Sequence, residues 1–358
     1  MTASALRPHA AVGAPLWPTA VAFDPARVDR GAPGLWRYRA FLGLPDGAPA
    51  LTLGEGWTPL VPGRLDGAEI VFKLEFAQPT GSYKDRGFAP LFASLSADGI
   101  QAVVEDSSGN AGASAAAYGA AAGIDVTLFL PGDAAAGART AQALAYGAKV
   151  DAAAGSRAEA AARAEAAARA GAVYASHVRR PVYLAGLRTV AFEIFEQLGR
   201  APDDVVVPVG HGGLLLGLAL GFDALVAGEC IERAPRLHGV QAAAAAPLAA
   251  AFARGEASPA AVAPSPTCAR GIAIGDPPRG AAVLAAVRRS GGSLSALDED
   301  SIRTAHAALA RRGWYVEPTS AVVAPAARRL AEAGPAGRSV VAVLTGSGLK
   351  SSPPARQE

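Results

Sequence analysis

Short apolar, β-branched runs alternate with helix-patterned segments along most of this chain, and that alternation limits the fold more than any other feature. Residues 69–75, 102–105, 126–130, 149–152, 204–209, 238–241 and 339–344 read as strands. Residues 88–95, 113–122, 138–146, 156–170, 187–198, 298–312 and 320–333, together with a segment starting at Leu214, read as helices, Asp298 being a candidate N-cap. Strands alternating with helices predict an α/β fold: two open, mainly parallel, twisted sheets with helices on both faces. Ligands in such folds bind at the carboxyl ends of strands. The run AEAAARAEAAAR has strong helix propensity and i,i+4 Glu/Arg pairing, and is read as an exposed packing helix. Residues 1–34 read as a surface arm rich in Ala, Pro and Gly, and residues 242–268 carry no pattern that predicts an element.

A chain of 358 residues allows two domains of ordinary size, or one large one. With 51% hydrophobic residues and a net charge of +2, the composition predicts a soluble protein with a substantial core. It has no basic stripe of the kind that binds nucleic acid. Cys230 and Cys268 form no CxxC or Cys/His cluster, so neither a disulfide framework nor a metal site is expected, and a cytoplasmic location is. There is no secretory leader pattern and no apolar run long enough to span a bilayer, so no membrane partner is expected.

Within this frame one side chain stands out. The chain has only four lysines, Lys73, Lys84, Lys149 and Lys350, and carries its other basic charges on arginine. Lys84 falls in Pro79-Thr80-Gly81-Ser82-Tyr83-Lys84-Asp85-Arg86-Gly87, a turn between a strand and a helix. Arginine stays protonated, whereas a lysine amine that loses its proton can form a Schiff base with an aldehyde. A lone loop lysine is ordinarily just solvated, so the case for Lys84 depends on the rest of the chain. Three further small-residue turns end strands, at residues 107–112, 210–213 and 345–348. Such turns expose backbone N–H groups beside the positive end of a helix, a natural anion site, although glycines there are often purely geometric. Gly210-His211-Gly212-Gly213, which follows Val205–Val209, is the best phosphate cradle and matches neither a Walker A sequence nor a GxGxxG fingerprint.

These stretches occur in a fixed order with Gly34-Leu35-Trp36-Arg37-Tyr38, Leu53-Gly54-Glu55-Gly56-Trp57-Thr58-Pro59-Leu60, Gly271-Ile272-Ala273-Ile274-Gly275, Glu317-Pro318-Thr319-Ser320-Ala321 and Leu344-Thr345-Gly346-Ser347-Gly348-Leu349-Lys350. Together they resemble the fold-type II pyridoxal-phosphate enzymes, and most of all the threonine synthases, across roughly residues 34–350. The resemblance implies that Lys84 forms a Schiff base with pyridoxal 5'-phosphate and later moves the substrate Cα proton. It implies that Asn110 bonds the cofactor's ring hydroxyl oxygen. Ser107, Ser108 and Gly109 would take the substrate carboxylate. Gly210, His211, Gly212, Gly213 and the N–H of Leu214 would hold the cofactor phosphate, and Thr345 would face the pyridine nitrogen. Each position has a structural alternative: Asn110 as a turn former, Thr345 as a strand cap, His211 as filler, Glu317 as a turn residue.

The resemblance further implies a large cofactor domain formed by residues 35–87 and 181–350, an inserted mobile domain at 88–180, a tail at 351–358, a cofactor in the interdomain cleft, and a homodimer. One run departs from the family pattern. Arg180-Pro181-Val182-Tyr183-Leu184-Ala185-Gly186-Leu187-Arg188-Thr189 keeps Pro181, Gly186 and Thr189, but has Arg180 in place of the family's Asn and Tyr183 in place of its Arg. That arginine is implied to help hold a substrate phosphate, and tyrosine lacks its charge and bidentate fork. Tyr183, Arg180 and Arg188 are therefore the candidates for contact with the substrate side chain. The expected activity is that of a lyase acting on a small amino acid. Conversion of O-phosphohomoserine and water to threonine and phosphate stands first, and β-elimination or β-replacement on a serine-, threonine- or cysteine-like amino acid stands second. A non-catalytic relative is the remaining alternative.

Overall fold

The computed structural model describes residues 17–132, 137–153, 155–335 and 337–350. Residues 1–16 of the expected arm and the whole of the expected tail lie outside these. The chain divides into two compact units. One contains Val28–Gly56 and Lys84–Gly186, and the other Ala20–Arg27, Trp57–Tyr83 and the chain from Leu187 onward.

The first unit is built on a parallel three-stranded sheet in the order β3 (Ala102–Glu105), β4 (Asp125–Pro131), β5 (Lys149–Ala153). Its helices are α1 (Asp85–Ala97), α2 (Asn110–Ala122), α3 (Ala138–Ala145), α4 (Arg157–Arg169) and α5 (Pro181–Leu187). Ser156 and Glu159 start α4 with a reciprocal capping box. Along α4, Ala160 and Ala164 turn inward, four residues apart, as the alanine-rich pattern predicts for a packing helix. Segment 28–56 joins this unit through Glu55, whose carboxylate accepts bonds from Trp36 Nε1 (2.8 Å) and Tyr118 Oη (2.7 Å).

The second unit is a six-stranded sheet in the order β1 (Leu60–Leu65), β2 (Ala68–Leu74), β9 (Val340–Leu344), β6 (Asp204–Pro208), β7 (Arg236–Ala242), β8 (Ser293–Leu297). Only the β1/β2 hairpin is antiparallel, and every residue of β6 and β9 is buried. This is the near-continuous apolar pattern of strands covered on both faces. The helices are α6 (Thr189–Leu198), α7 (Gly213–Ala227), α8 (Pro247–Ala253), α9 (Gly280–Arg289), α10 (Glu299–Ala310), α11 (Pro318–Ala321) and α12 (Val323–Ala333). Asp298 caps α10 by accepting from Ser301 N at 2.7 Å.

Three features differ from the sequence expectation. The helix expected over 187–198 is α6, starting at Thr189, and it is preceded by α5, a short helix over Pro181–Leu187 that the sequence reading did not expect. The unpatterned stretch 242–268 contains α8, whose first N–H groups, Leu248 N and Ala249 N, bond to Gln241 Oε1 at 2.9 and 3.0 Å. Its cap therefore comes from strand β7, where local patterning cannot show it. Within the expected surface arm, Phe23 is buried against Phe192, with ring centroids 4.6 Å apart, and donates its N–H to Ala224 O at 2.8 Å.

At the amino end of β6, the fully buried Asp204 receives bonds from Arg236 Nε (2.8 Å), Arg338 Nη2 (2.9 Å) and His238 Nε2 (2.8 Å). Burial pushes its carboxyl up, but the bonds from His238, Arg338 and Arg236 outweigh that and hold it well below the usual carboxylate range. A carboxyl depressed in this way contributes stability above the unfolded-chain pKa of about 4. The contribution is lost as pH falls toward the lower folded value. Asp204→Asn should cost about 1.5–3 kcal/mol at pH 7, because it removes the charged acceptor from the bonds donated by Arg236 and Arg338. Urea unfolding followed from pH 7 down to pH 3 should show the gap between wild type and variant narrowing below about pH 4.

Candidate active site

In the second unit, three neighbouring strands deliver three candidate segments to one edge of the sheet. β2, β9 and β6 are adjacent and parallel, so their carboxyl ends coincide. β2 runs into the loop that precedes Lys84, β9 into Thr345, and β6 into the glycine cradle. The lysine loop is fastened to the turn after β9: Tyr83 N donates to Thr345 O (3.1 Å) and Ser347 N to Gly81 O (2.9 Å), with an antiparallel bridge between Ser82 and Gly346. Lys350 Nζ adds a bond to Thr80 O at 2.5 Å. Gly81, at φ +82°, supplies the left-handed corner that the loop needs.

Thr345 is buried, and its hydroxyl lies 3.0 Å from Ser320 Oγ. Ser320 Oγ also accepts from Thr345 N (3.0 Å) and Gly346 N (2.8 Å). Ser320 therefore fixes the position of the Thr345 hydroxyl, a role that sequence reasoning did not assign although the residue lies in a quoted motif. The cradle Gly210–Gly213 opens α7, a 15-residue helix with Gly212 at its N-cap. Gly212 has φ +84°, and a Cβ there would stand 2.2 Å from Val283 Cγ2. At Gly210 a Cβ would stand 3.1 Å from Ile274 Cγ1 and 3.2 Å from Ile272 Cα. Such a cradle, made of backbone and floored by a helix N-terminus, fits a phosphate group.

Lys84 itself belongs to the first unit. It opens α1 with helical dihedrals, is half-buried, and accepts from Gly87 N (3.1 Å) and Phe88 N (3.2 Å) through its carbonyl. Next in the chain, Asp85 is fully buried and accepts from Ser114 Oγ at 2.6 Å, which ties α1 to α2. The turn after β3 leads into α2, with Ser107 buried, Gly109 at the N-cap and Asn110 as first residue. Ser107 Oγ accepts from Gly109 N at 3.2 Å. Gly112 has no room for a side chain, because a Cβ would stand 1.9 Å from Ser107 O. That close approach brings the α2 N-terminus onto the turn.

The sequence matches the family described as pyridoxal-phosphate dependent enzyme over residues 51–346. The chain belongs to the pyridoxal-phosphate-dependent enzymes. Among relatives of this family, the threonine synthase of Methanocaldococcus jannaschii is 35% identical over 326 residues, 88% of this chain and 80% of that one. The threonine synthase of Mycobacterium leprae is 35% identical, covering 87% of each chain. A crystal structure of a T.th. threonine deaminase superposes with a TM-score of 0.69 at 27% identity, covering 81% of this chain and 92% of that one. The processed threonine deaminase isoform 2 of Solanum lycopersicum gives a TM-score of 0.71 at 23% identity over 94% of each chain, a likeness of fold. Pyridoxal phosphate is accordingly the cofactor of this pyridoxal-phosphate-dependent enzyme, as the resemblance implied.

The candidate residues divide between the units. Gly210, His211, Gly212, Gly213, Leu214, Thr345 and Arg188 lie in the second; Lys84, Ser107, Ser108, Gly109, Asn110, Arg180 and Tyr183 lie in the first. Arg180 is buried and donates Nε to Tyr174 O at 2.9 Å. Burial lowers its guanidinium to about 10, with Asp98 opposing. Burial also lowers Arg188 to about 10. Arg270 is exposed. Gly212→Ala should weaken cofactor retention at least about tenfold, since a left-handed alanine costs about 1–2 kcal/mol even before Val283 moves. Equilibrium dialysis against pyridoxal phosphate, with circular dichroism as a fold control, measures the loss.

Proposed function

We propose that this protein is a carbon–oxygen lyase of the threonine-synthase type, acting on a small α-amino acid. The observation that carries this reading is the placement, at the carboxyl ends of β2, β9 and β6, of the loop into Lys84, the Thr345 hydroxyl and the glycine cradle. Bound pyridoxal phosphate supplies an aldehyde that takes up an amine and a ring that draws electrons from the substrate Cα. Lys84 is the amine that anchors the cofactor and, once released, moves the proton at Cα. Gly210 to Leu214 bind the phosphate through backbone N–H groups at the start of α7. Ser107, Ser108 and Gly109 orient the substrate carboxylate at the start of α2, and Asn110 bonds the ring hydroxyl oxygen. Thr345, held by Ser320, presents a hydroxyl to the ring nitrogen. A hydroxyl does not keep that nitrogen protonated as a carboxylate would, so the site favours elimination and replacement over transamination.

Relatives named threonine synthase support O-phosphohomoserine as substrate, with water as the incoming group. A second reading, β-elimination or β-replacement on a serine-, threonine- or cysteine-like amino acid, is favoured by Tyr183. That residue is buried and uncharged, and packs edge-on against Phe88 with ring centroids 5.0 Å apart. The proposal includes residues 88–180 as a smaller domain that closes over substrate and excludes water, a homodimeric state and a cytoplasmic location. Among the described residues no helix is long and apolar enough to cross a membrane.

A panel of O-phosphohomoserine, O-phosphoserine, serine, threonine and cysteine decides between the two substrates. Threonine and phosphate released from the first compound select the first reading, and ammonia with a keto acid from the hydroxy amino acids selects the second. Lys84→Ala should lose turnover by about 10³-fold or more, the scale of a positioned proton-transfer group. It should also lose the lysine-linked absorbance band of the bound cofactor. A variant that kept both would remove the basis of either reading.

A further inference from the structure

The first unit's sheet gathers positive charge at one edge. Strands β3, β4 and β5 are parallel neighbours, so their carboxyl ends coincide. The Ser107–Gly109 turn and α2 follow β3, α3 follows β4, and α4 follows β5. Arg157 opens α4, Lys84 opens α1, and both act on the carboxyl of Glu105, the last residue of β3. Arg139, the second residue of α3, reaches the turn itself.

Gly109 marks the place. A Cβ built on it would stand 3.6 Å from Ser107 Oγ and 4.0 Å from Arg139 Nη1, both ordinary contact distances. Its φ of −101° suits any residue. Neither packing nor backbone geometry therefore demands a glycine here. At Gly112, by contrast, a Cβ would stand 1.9 Å from Ser107 O. The missing side chain of Gly109 leaves a space bounded by a hydroxyl and a guanidinium, in a turn whose residues Ser108, Gly109 and Asn110 are only half-buried.

The negative charges of this edge are engaged within the protein. Glu105 Oε1 lies 2.5 Å from His177 Nδ1, and Asp106 Oδ1 accepts from Tyr174 Oη at 2.8 Å. Burial, then Asp106, push the Glu105 carboxyl well above the usual carboxylate range, against Arg157 and Lys84. Glu159 belongs to the α4 cap, and Asp85 accepts from Ser114. Arg163, Arg179 and Arg180 are held elsewhere, by Asp151, Glu165 and Tyr174 O. A desolvated phosphate dianion needs cations around it, best of all a guanidinium offering two N–H groups. For a carboxylate, the backbone N–H groups at a helix start suffice. The chain between carboxylate and phosphate in a γ-ester is flexible, so the phosphate can lie beside the turn that holds the carboxylate.

We propose that Arg139 holds the phosphate of the substrate ester in the space over Gly109, and so supplies from α3 the charge that Tyr183 does not. The inference rests on the lyase reading above and deepens its first substrate. The test uses cofactor-loaded enzyme and reads binding of L-homoserine and O-phosphohomoserine from thermal shift and from the change in cofactor absorbance. Wild type should bind the phosphate ester at least about tenfold more tightly than L-homoserine, a difference of about 1.4 kcal/mol. Arg139→Gln should lose at least about tenfold on the ester and less than about twofold on L-homoserine. Arg139→Lys, which keeps the charge but not the fork, should fall between the two. Arg157→Gln removes an exposed charge that water and salt screen, and should change the ratio of the two affinities less than about twofold.

Inorganic phosphate, the released product, should compete with the ester in wild type and at least about tenfold more weakly in Arg139→Gln. Circular dichroism and cofactor content serve as controls for folding and loading. Three outcomes would overturn the proposal. One is binding of L-homoserine by wild type as tight as that of its phosphate ester. Another is an unchanged ratio in folded, cofactor-loaded Arg139→Gln. The third is an equal loss of both ligands in that variant, which would assign Arg139 to the carboxylate or to the fold. Failure of the lyase reading is seen separately, as persistence of the Lys84-linked band and turnover in Lys84→Ala, while the affinity ratio is still read by thermal shift.

Discussion

The backbone hydrogen bonds that join Gly81–Tyr83 to Thr345–Ser347 are the constraint on which the geometry of the second unit's candidate segments depends. Two backbone hydrogen bonds and one bridge fix the loop before Lys84 to the turn after β9. They exist only because β2 and β9 are paired in parallel with Val71 opposite Val341 and Leu74 opposite Leu344. A one-residue slip would turn every side chain of the strand to the other face. It would also carry the lysine loop away from Thr345. Ser320 reinforces the arrangement from a third direction, its single hydroxyl bonded to Thr345 N, Gly346 N and the Thr345 hydroxyl. The Thr345 hydroxyl is therefore positioned by backbone geometry and one serine, with little left to side-chain freedom.

The segment Glu55–Thr58 shows how a short motif serves two compact units. Glu55 is spent on the first, where Trp36, Tyr118 and the N–H of Leu53 surround its carboxylate. Two residues later the chain serves the second. Trp57 sits at φ +48°, a costly conformation for a bulky residue, and its N–H donates to Glu193 Oε1 at 2.6 Å. Thr58 Oγ1 donates to Glu75 Oε1 at 2.6 Å, and its carbonyl accepts from Lys73 Nζ at 2.8 Å. Lys73 is paired with Glu193 at 2.7 Å, both side chains fully buried. Removing either partner would leave a buried charge uncompensated, so the pair belongs with the strain at Trp57 as one unit of structure.

The glycine turns and the β-branched runs were legible in the sequence because their causes are local. A left-handed corner needs glycine, and a strand covered on both faces needs unbroken apolar residues. The loop into Lys84, the cradle at 210–213 and the Thr345 turn all follow such runs, and the structure places each at a strand's carboxyl end. What escaped was non-local. Helix α8 takes its cap from Gln241, and Phe23 is held by Ala224, about 200 residues further along the chain. Glu105 and His177 are separated by 72 residues, and nothing in either neighbourhood announces the other. A buried polar residue shows its purpose only through its partner, and sequence spacing does not supply the partner.

The same logic bears on Tyr183. Taken alone, a tyrosine where relatives of this kind are expected to carry arginine reads as a lost phosphate contact. In this structure a fully buried glutamate, paired with a histidine, lies on the far side of that histidine from the tyrosine ring. A carboxylate so placed next to an arginine would have paired with it and taken up the charge intended for substrate. Burial pushes the Glu105 carboxyl well above the usual carboxylate range, and its Oε1 is paired with His177 Nδ1 at 2.5 Å. Its Oε2 is buried without a hydrogen-bond partner, which costs about 1–3 kcal/mol.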